Sequence, residues 1–283
     1  MNESLQLDVR PAASEPPPIE LFVRGVRVRL ERRIGAGRYG TVHAGRDEWG
    51  EALAVKLYKP FVPDDVWQNE LRQLERFRHA NVVELCGGAR RGKERYAILR
   101  YAGKPLAQLR DSRSTESRER FVLHVARGLL QALHELHSAG YVHGDVNPGN
   151  CLVQQVGPSV HVRLADFAFC RRVEDPEPEL ARYAAWMPLP ERFGPRRTRT
   201  GIKADVYLAA LLLLERLIGT PLDRDHVQLR FRVLPKYLVD RGRPIVQALA
   251  AALSPEPWRR PGALELWRQL CQAAKPFEPA SRA

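Results

Sequence analysis

One stretch, Tyr141-Val-His-Gly-Asp-Val-Asn-Pro-Gly-Asn-Cys151, limits what this chain of 283 residues can fold into. Tyr141-Val142 and Cys151-Leu-Val153 read as short strands, and the residues between them are polar or turn-forming. Pro148 and Gly149 bend the loop back on itself, so Asp145 and Asn150 can be turned toward a common space. A carboxylate held there can accept a proton from a hydroxyl group, and a carboxamide oxygen can face a metal ion. A second acid, Asp166, follows another strand-like run in Leu164-Ala-Asp-Phe-Ala168. A lone Asp in a loop more often caps a turn, and only the spacing of the pair favours the chemical reading.

Composition narrows the alternatives. The apolar share of 44% and mean hydropathy of −0.37 describe an ordinary soluble chain. Met1 to Arg10 lacks the apolar run of a signal peptide. The most apolar segment, Tyr207–Leu214, is too short to span a bilayer and reads as a buried helix. Cys86, Cys151, Cys170 and Cys271 form no paired or metal-like spacing, which fits reduced thiols and a cytoplasmic location. The net charge is +12, and 38 of the 45 basic residues are Arg. They are scattered without interleaved aromatics, so no nucleic-acid partner and no membrane contact are expected. The Arg and Ala bias hints at a bacterial, GC-rich source.

Residues 1–20 carry Pro11, Pro16, Pro17 and Pro18 and read as a flexible tail. From Val26 the pattern alternates as a strand, leading into Gly35-Ala-Gly-Arg-Tyr-Gly40. Dinucleotide-binding proteins use the same glycine spacing to open a helix. Here Thr41-Val-His-Ala44 reads as a second strand, so the glycines sit in a hairpin whose backbone N–H groups can close over phosphates. A third strand, Ala52–Tyr58, holds Lys56, and Asp64–Arg78 has helical periodicity with Glu70 on it. Alone, Lys56 would read as a snorkelling surface residue and Glu70 as a solvated one. A long helix over Glu116–Ser138 ends at Gly140 and feeds the Asp145 loop. One acid for the nucleophile, plus an acid and an Asn for magnesium, is the minimum set for phosphoryl transfer.

Taken in order, these motifs resemble protein kinases over roughly residues 26–272. His143-Gly-Asp145 through Asn150 resembles their catalytic loop, and Asp166-Phe-Ala168 their magnesium-binding triplet. Leu189-Pro-Glu191 resembles Ala-Pro-Glu, and Arg260-Pro261 the late Arg that pairs with that Glu. The resemblance implies an α+β, bilobal kinase-like fold at 21–275, with an N-lobe to about 101 and a C-lobe beyond, and a tail at 276–283. The N-lobe would hold a five-stranded antiparallel sheet plus one helix, and the C-lobe would be mainly helical.

It also implies roles. Lys56, held by Glu70, would contact the α- and β-phosphates of ATP, with Gly35, Ala36, Gly37 and Gly40 over them. Val42, Ala54 and Leu152 would sandwich the adenine, Leu99 would be the gatekeeper, and the backbone from Arg100 to Ala102 would hold the adenine edge. Asn150 and Asp166 would hold Mg2+, and Asp145 would take the hydroxyl proton. A Ser/Thr-type kinase acting on a protein substrate is the leading expectation. A small-molecule kinase of the aminoglycoside or choline type, or a pseudokinase acting as a binding module, stays open.

Several positions depart from the family pattern. Gly144 replaces an Arg that binds a phosphorylated activation segment, and Asn147 replaces a Lys used on the γ-phosphate. Asn147→Lys is therefore expected to leave turnover unchanged or raise it. Ala184 stands where a Thr is usual, and Ala168 where a Gly is usual. Residues 166–191 contain no Ser or Thr, leaving Tyr183 as the one hydroxyl. The acidic run Glu174, Asp175, Glu177 and Glu179 lies near Arg171 and Arg172, where fixed ion pairs or a solvated loop are both open.

Overall fold

Strand-forming alternation builds the first lobe. In the computed structural model, which describes residues 19–109, 114–157, 159–178, 189–193, 201–219 and 244–274, β2 runs over Val26–Ala36. It buries Val28 and Leu30 while Arg27, Arg29 and Glu31 stay outside. β3 (Gly40–Asp47), β4 (Ala52–Tyr58), β5 (Leu85–Arg91) and β6 (Glu94–Arg100) complete the five expected strands. A sixth, β1 (Glu20–Val23), joins the edge, giving the order β1-β2-β3-β4-β6-β5. The sheet thus has one strand more than the sequence reading assigned, and its first residue falls at the end of the expected tail.

The added strand has a local cause. Val23 pairs with Val26 across Arg24 and Gly25, whose φ values of 50° and 82° are those of a two-residue hairpin turn. Leu21 and Val23 then join Val28, Leu30, Val55 and Ile98 in the sheet's outer core. Helix α1 (Asp64–Arg76) opens on Asp64 and Asp65, which suit the positive end of the helix dipole. Leu74 on α1 and Phe77 just after it are buried, and α1 ends two residues before the expected Arg78.

The second lobe is built on α2 (Thr115–Ser138) and α4 (Ile202–Ile218), with the four-residue α3 (Pro190–Phe193) between them in the chain. Ser114 caps α2 by accepting from the Ser117 N–H, and Gly140, at φ 79°, turns the chain after it. α4 is buried along nearly its whole length, and Gly219 ends it in the left-handed region. α5 (Pro244–Ala252) and α6 (Ala263–Ala273) pack beside them. Among the described residues, no helix is long and apolar enough to cross a membrane.

Small strands position the loop between the lobes. β8 (Tyr141–Val142) and β9 (Cys151–Val156) flank it, and β7 (Lys104–Pro105) and β10 (Ser159–Leu164) pair on either side of β9. β11 (Arg171–Arg172) pairs back onto β8. The lobes are also stitched behind the cleft, where Val83 N–H donates to Leu164 O at 3.0 Å and Leu164 N–H to Asn81 O at 2.8 Å. Residues 1–18 and 275–283, with Pro158, Glu179, Tyr183 and Ala184, lie outside the described residues.

Candidate active site

The glycine turn closes one wall of a cleft. β2 and β3 pair through Gly35–Val42 and Ala36–Thr41, so the glycines do lie in a hairpin and not at a helix start. Gly37 N–H donates to Gly40 O at 2.8 Å across the turn. A side chain at Gly40 would place its Cβ 2.5 Å from Leu57 O, so only glycine fits that close approach. Gly35, Ala36, Gly37, Gly40, Val42, Lys56, Asp145, Asn150 and Asp166 line one cleft of about 580 Å³. Arg38, Tyr39 and Asn147 line it as well.

Three charged groups meet at its floor. Lys56 Nζ lies 2.7 Å from Glu70 Oε2 and 2.8 Å from Asp166 Oδ1. Burial alone would push the Lys56 ammonium down, but Asp166 and Glu70 more than offset it and hold its pKa above the ordinary value. Burial raises the Glu70 carboxyl against the pull of Lys56. Burial would raise the Asp166 carboxyl, but the charge and hydrogen bond of Lys56, together with His143 and the Ala168 backbone, bring it below its ordinary value. Tyr58 donates its hydroxyl to Glu70 Oε2 from the same face of β4 as Lys56. The sequence reading missed Tyr58, although its place two residues after Lys56 on a strand fixes its side.

The loop from His143 to Asn150 is held almost wholly through its backbone. Asp205 accepts from the N–H groups of His143 at 2.8 Å and Gly144 at 3.0 Å, and contacts His137 Nε2 at 3.0 Å. The buried-helix reading of Tyr207–Leu214 carried no sign of this anchor. Burial would raise the Asp205 carboxyl, yet the bond from His137 and its other partners bring it below the usual carboxylate range. Gly144 adopts φ 81°, and a Cβ there would sit 3.1 Å from Phe169 O. An Arg at this position would be strained on both counts.

Asn147 departs from its expected role. Its Oδ1 accepts from Gly149 N–H at 2.8 Å and Asn150 N–H at 3.1 Å, and its Nδ2 donates to Asp145 O at 3.1 Å. It is the keystone of the turn, so replacing it with Lys removes three hydrogen bonds, and this geometry argues for a loss of turnover where the charge argument alone expects none.

Asp145 itself accepts from Asn150 Nδ2 at 2.9 Å through Oδ2, while its buried Oδ1 has no partner among the described residues. Burial, and then the charge on Asp166, push the Asp145 carboxyl up to about 8 against the bonds from Asn147 and Asn150. Asp166 adopts φ 63°, a left-handed conformation rare for a non-glycine residue. Phe167 stacks edge-on to His143 with ring centroids 5.0 Å apart.

The expected nucleotide-base residues are placed differently from one another. Ala54 and Leu152 are partly buried against the main core, and Leu99 and Ala102 are within it. The Arg100 side chain turns away toward Glu51 at 3.3 Å. The Arg100 N–H donates to Glu84 O at 2.9 Å and the Tyr101 N–H to Ala52 O at 3.1 Å, so two of the three hinge donors are already used. In the second lobe Arg260 forms a fully buried, two-pronged pair with Glu191, at 3.1 and 2.8 Å. Its guanidinium lies 4.6 Å from the centre of the Tyr207 ring.

Two lobes around a cleft that joins a strand Lys, a helix Glu, a loop Asp with its Asn, and a second Asp define a phosphotransferase-type scaffold. The protein kinase domain family matches residues 28–239, and this chain belongs to it. It is similar to the serine/threonine-protein kinase MAK of Homo sapiens, 32% identical over 171 residues, covering 58% of this chain and 27% of that protein. The serine/threonine-protein kinase ICK of Rattus norvegicus is 30% identical over 197 residues, covering 68% of this chain and 30% of that protein. The mitogen-activated protein kinase hog1 of Aspergillus niger is 28% identical over 226 residues, covering 77% and 60%. The chain thus spans under a third of the two serine/threonine kinases and three-fifths of the third relative.

Proposed function

We propose that this chain is an ATP-dependent serine/threonine protein kinase that transfers the γ-phosphoryl group to a protein hydroxyl. The observation that carries this reading is the meeting of Lys56, Glu70 and Asp166 beside Asp145, whose buried Oδ1 has no partner among the described residues. An orphaned carboxylate oxygen in a cleft is costly unless a substrate group completes it. The names of the similar kinases favour a protein hydroxyl, and so does the buried Arg260–Glu191 pair, a protein-kinase feature.

In this reading the residues divide the work. Lys56, oriented by Glu70, neutralises the α- and β-phosphates. Gly35, Ala36, Gly37 and Gly40 cover the phosphates with backbone N–H groups. The adenine packs between Val42, Ala54 and Leu152, beside Leu99, and its edge meets the Arg100 carbonyl and the Ala102 N–H. Asp145 takes the proton from the substrate hydroxyl as its oxygen attacks phosphorus and the bond to the departing diphosphate breaks. A base with a pKa near the working pH suits that step.

Asn150 and Asp166 fit a magnesium ion. The Asn150 amide nitrogen is committed to Asp145, which leaves its oxygen as a ligand, and Asp166 keeps Oδ2 beyond its Lys56 contact. Two protein oxygens are the sparse set magnesium takes when phosphates complete it. Bound there, the ion would neutralise charge on the phosphate oxygens. Because Asn147 carries no charge, we assign the γ-phosphate cation to Arg38, which lines the same cleft. The four cysteines are all unpaired, which supports a reducing, cytoplasmic setting.

The test is incubation of the chain with labelled ATP and magnesium on generic protein substrates and on a panel of small hydroxylated molecules, with Asp166→Ala as control. Label on protein Ser or Thr, lost in Asp166→Ala, is expected. Label on small molecules alone would move the reading to a small-molecule kinase. Nucleotide binding without transfer would make the chain a binding module.

A further inference from the structure

Helix α1 carries an asparagine one residue before Glu70, and both bonds its amide nitrogen donates leave the helix. Asn69 Nδ2 donates to Ala168 O at 3.1 Å and to Cys170 O at 2.9 Å. One turn further along α1, Gln73 Nε2 donates to Asn69 Oδ1 at 3.1 Å. That bond fixes which way the carboxamide faces, with both of its hydrogens toward the segment after Asp166. A carboxylate of the same shape could not do this, because it would present two oxygens to two carbonyls.

The helix and the Asp166 segment are therefore joined twice. Lys56 bridges Glu70 to Asp166 by charge, and Asn69 bridges α1 to Ala168 and Cys170 by neutral hydrogen bonds. Phe169, between the two bonded carbonyls, is fully buried and meets Tyr39 of the glycine turn edge-on at 5.2 Å. Asp166 needs such a frame, since a non-glycine residue at φ 63° persists only where its surroundings hold it. The catalytic loop offers no guanidinium for an added phosphate, because Gly144 occupies a conformation that disfavours any side chain.

We propose that Asn69 is a positioning residue that locks α1 to residues 166–170 and holds Asp166 in register with Lys56 without a phosphorylated activation segment. The claim on turnover rests on reading the cleft as a phosphoryl-transfer site, whereas the lock itself does not. Without it the segment after Asp166 would sample positions in which the acid leaves Lys56. Only the fraction of molecules in register would turn over, so kcat should fall more than KM for ATP rises.

The test uses the full chain carrying Asn69→Asp, Asn69→Ala, Gln73→Ala or, as a control on the exposed side of α1, Gln68→Ala. Two readouts are taken: kcat and KM for ATP, and alkylation of Cys170 relative to Cys151, mapped by mass spectrometry. Both thiols are fully buried, so Cys151 reports global unfolding and an excess at Cys170 reports local opening. Asn69→Asp and Asn69→Ala should lower kcat roughly tenfold or more, from two lost bonds, and speed Cys170 alkylation while Cys151 keeps its wild-type rate. Gln73→Ala removes only the orienting bond and should show a smaller change of both kinds, which keeps the test open if an Asn69 variant folds poorly. Gln68→Ala should match wild type.

Wild-type kcat in Asn69→Asp, with or without faster Cys170 alkylation, would overturn the positioning role. If the wild type transfers no phosphoryl group but Cys170 still opens selectively in the Asn69 variants, the lock stands and the kinase reading falls.

Discussion

Asp145→Asn should make the protein less sensitive to rising pH while ending its turnover. The Asp145 carboxyl is pushed from an ordinary 3.8 up to about 8, first by burial and then by Asp166. Below about pH 4 it is protonated in the folded and unfolded chains alike, so ionisation costs the fold nothing. As pH rises beyond that, the unfolded chain releases the proton and the folded chain keeps it. The folded state therefore loses relative stability until the pH passes about 8, where both forms are ionised and the loss is complete. At about 1.4 kcal/mol per pH unit, the full window is worth on the order of 5 kcal/mol. The Asn variant has no proton to lose there. It keeps an oxygen for the Asn150 amide, and its new amide hydrogens find no acceptor among the described residues at the buried Oδ1 position, at a cost of about 1–3 kcal/mol that does not vary with pH. The effect is thus a difference in slope, not in level. Urea or thermal unfolding of both proteins, without nucleotide or metal, would follow it from pH 5 to pH 8.5. Even half of the window should open a gap of several degrees in Tm, at about 2 °C or more per kcal/mol. Other titrating groups, such as the buried His143, are common to both chains and cancel in the difference. Parallel curves over that range would refute the assignment of Asp145 as a strained, destabilising acid.

Arg38→Ala should lower kcat about tenfold or more with little change in folding, since it removes an exposed side chain and a charge that the transition state uses; unchanged steady-state kinetics would remove Arg38 from the site. Asn147→Lys should cut turnover and lower Tm, because three hydrogen bonds of the loop are lost at about 1 kcal/mol each; a folded variant with raised kcat would restore the simple missing-charge reading. Arg260→Ala should cost about 3–5 kcal/mol by leaving the buried Glu191 unpaired, measured by urea unfolding. Protein made without other kinases and treated with phosphatase should phosphorylate its substrate at the untreated rate; activity lost on treatment and regained on ATP preincubation would contradict an activation segment independent of phosphate.

What could be read from the sequence was whatever the backbone writes as spacing. Alternation along Val26–Leu30 and the turn residues around Pro148 and Gly149 fix local conformation, and local conformation decides which side chains share a side. The family's motif order then implied which distant elements meet, and the structure does bring Lys56, Glu70 and Asp166 within bonding distance. What stayed hidden depended on which backbone groups a polar side chain would find. Arg24-Gly25, ahead of the alternation that begins at Val26, carried no sequence signal, yet two positive φ values make it a hairpin and add an edge strand. The resemblance gave the Arg100 backbone a place in the hinge, and it carried no sign that the Arg100 guanidinium turns to Glu51 and its N–H to Glu84.

Asn147 and Gly144 carry the sharper lesson. Compared with the family pattern, each registers as a missing charge, and charge alone suggests a weakened enzyme. In three dimensions neither place is vacant in its own terms. Asn147 spends three hydrogen bonds on bending the loop that presents Asp145, and Gly144 accepts a φ of 81° so that its N–H can reach Asp205. A Lys could not make the first set of bonds, and an Arg would resist the second conformation. The loop is held by the carboxamide bonds of Asn147 and by the Asp205 carboxylate, and Asn69 adds neutral bonds from α1 to the segment behind Asp166. Order that rests on such bonds is present as soon as the chain folds. On the proposed role of Asn69, control of this protein is expected to act through access to the cleft or through its substrate, which the phosphatase experiment tests.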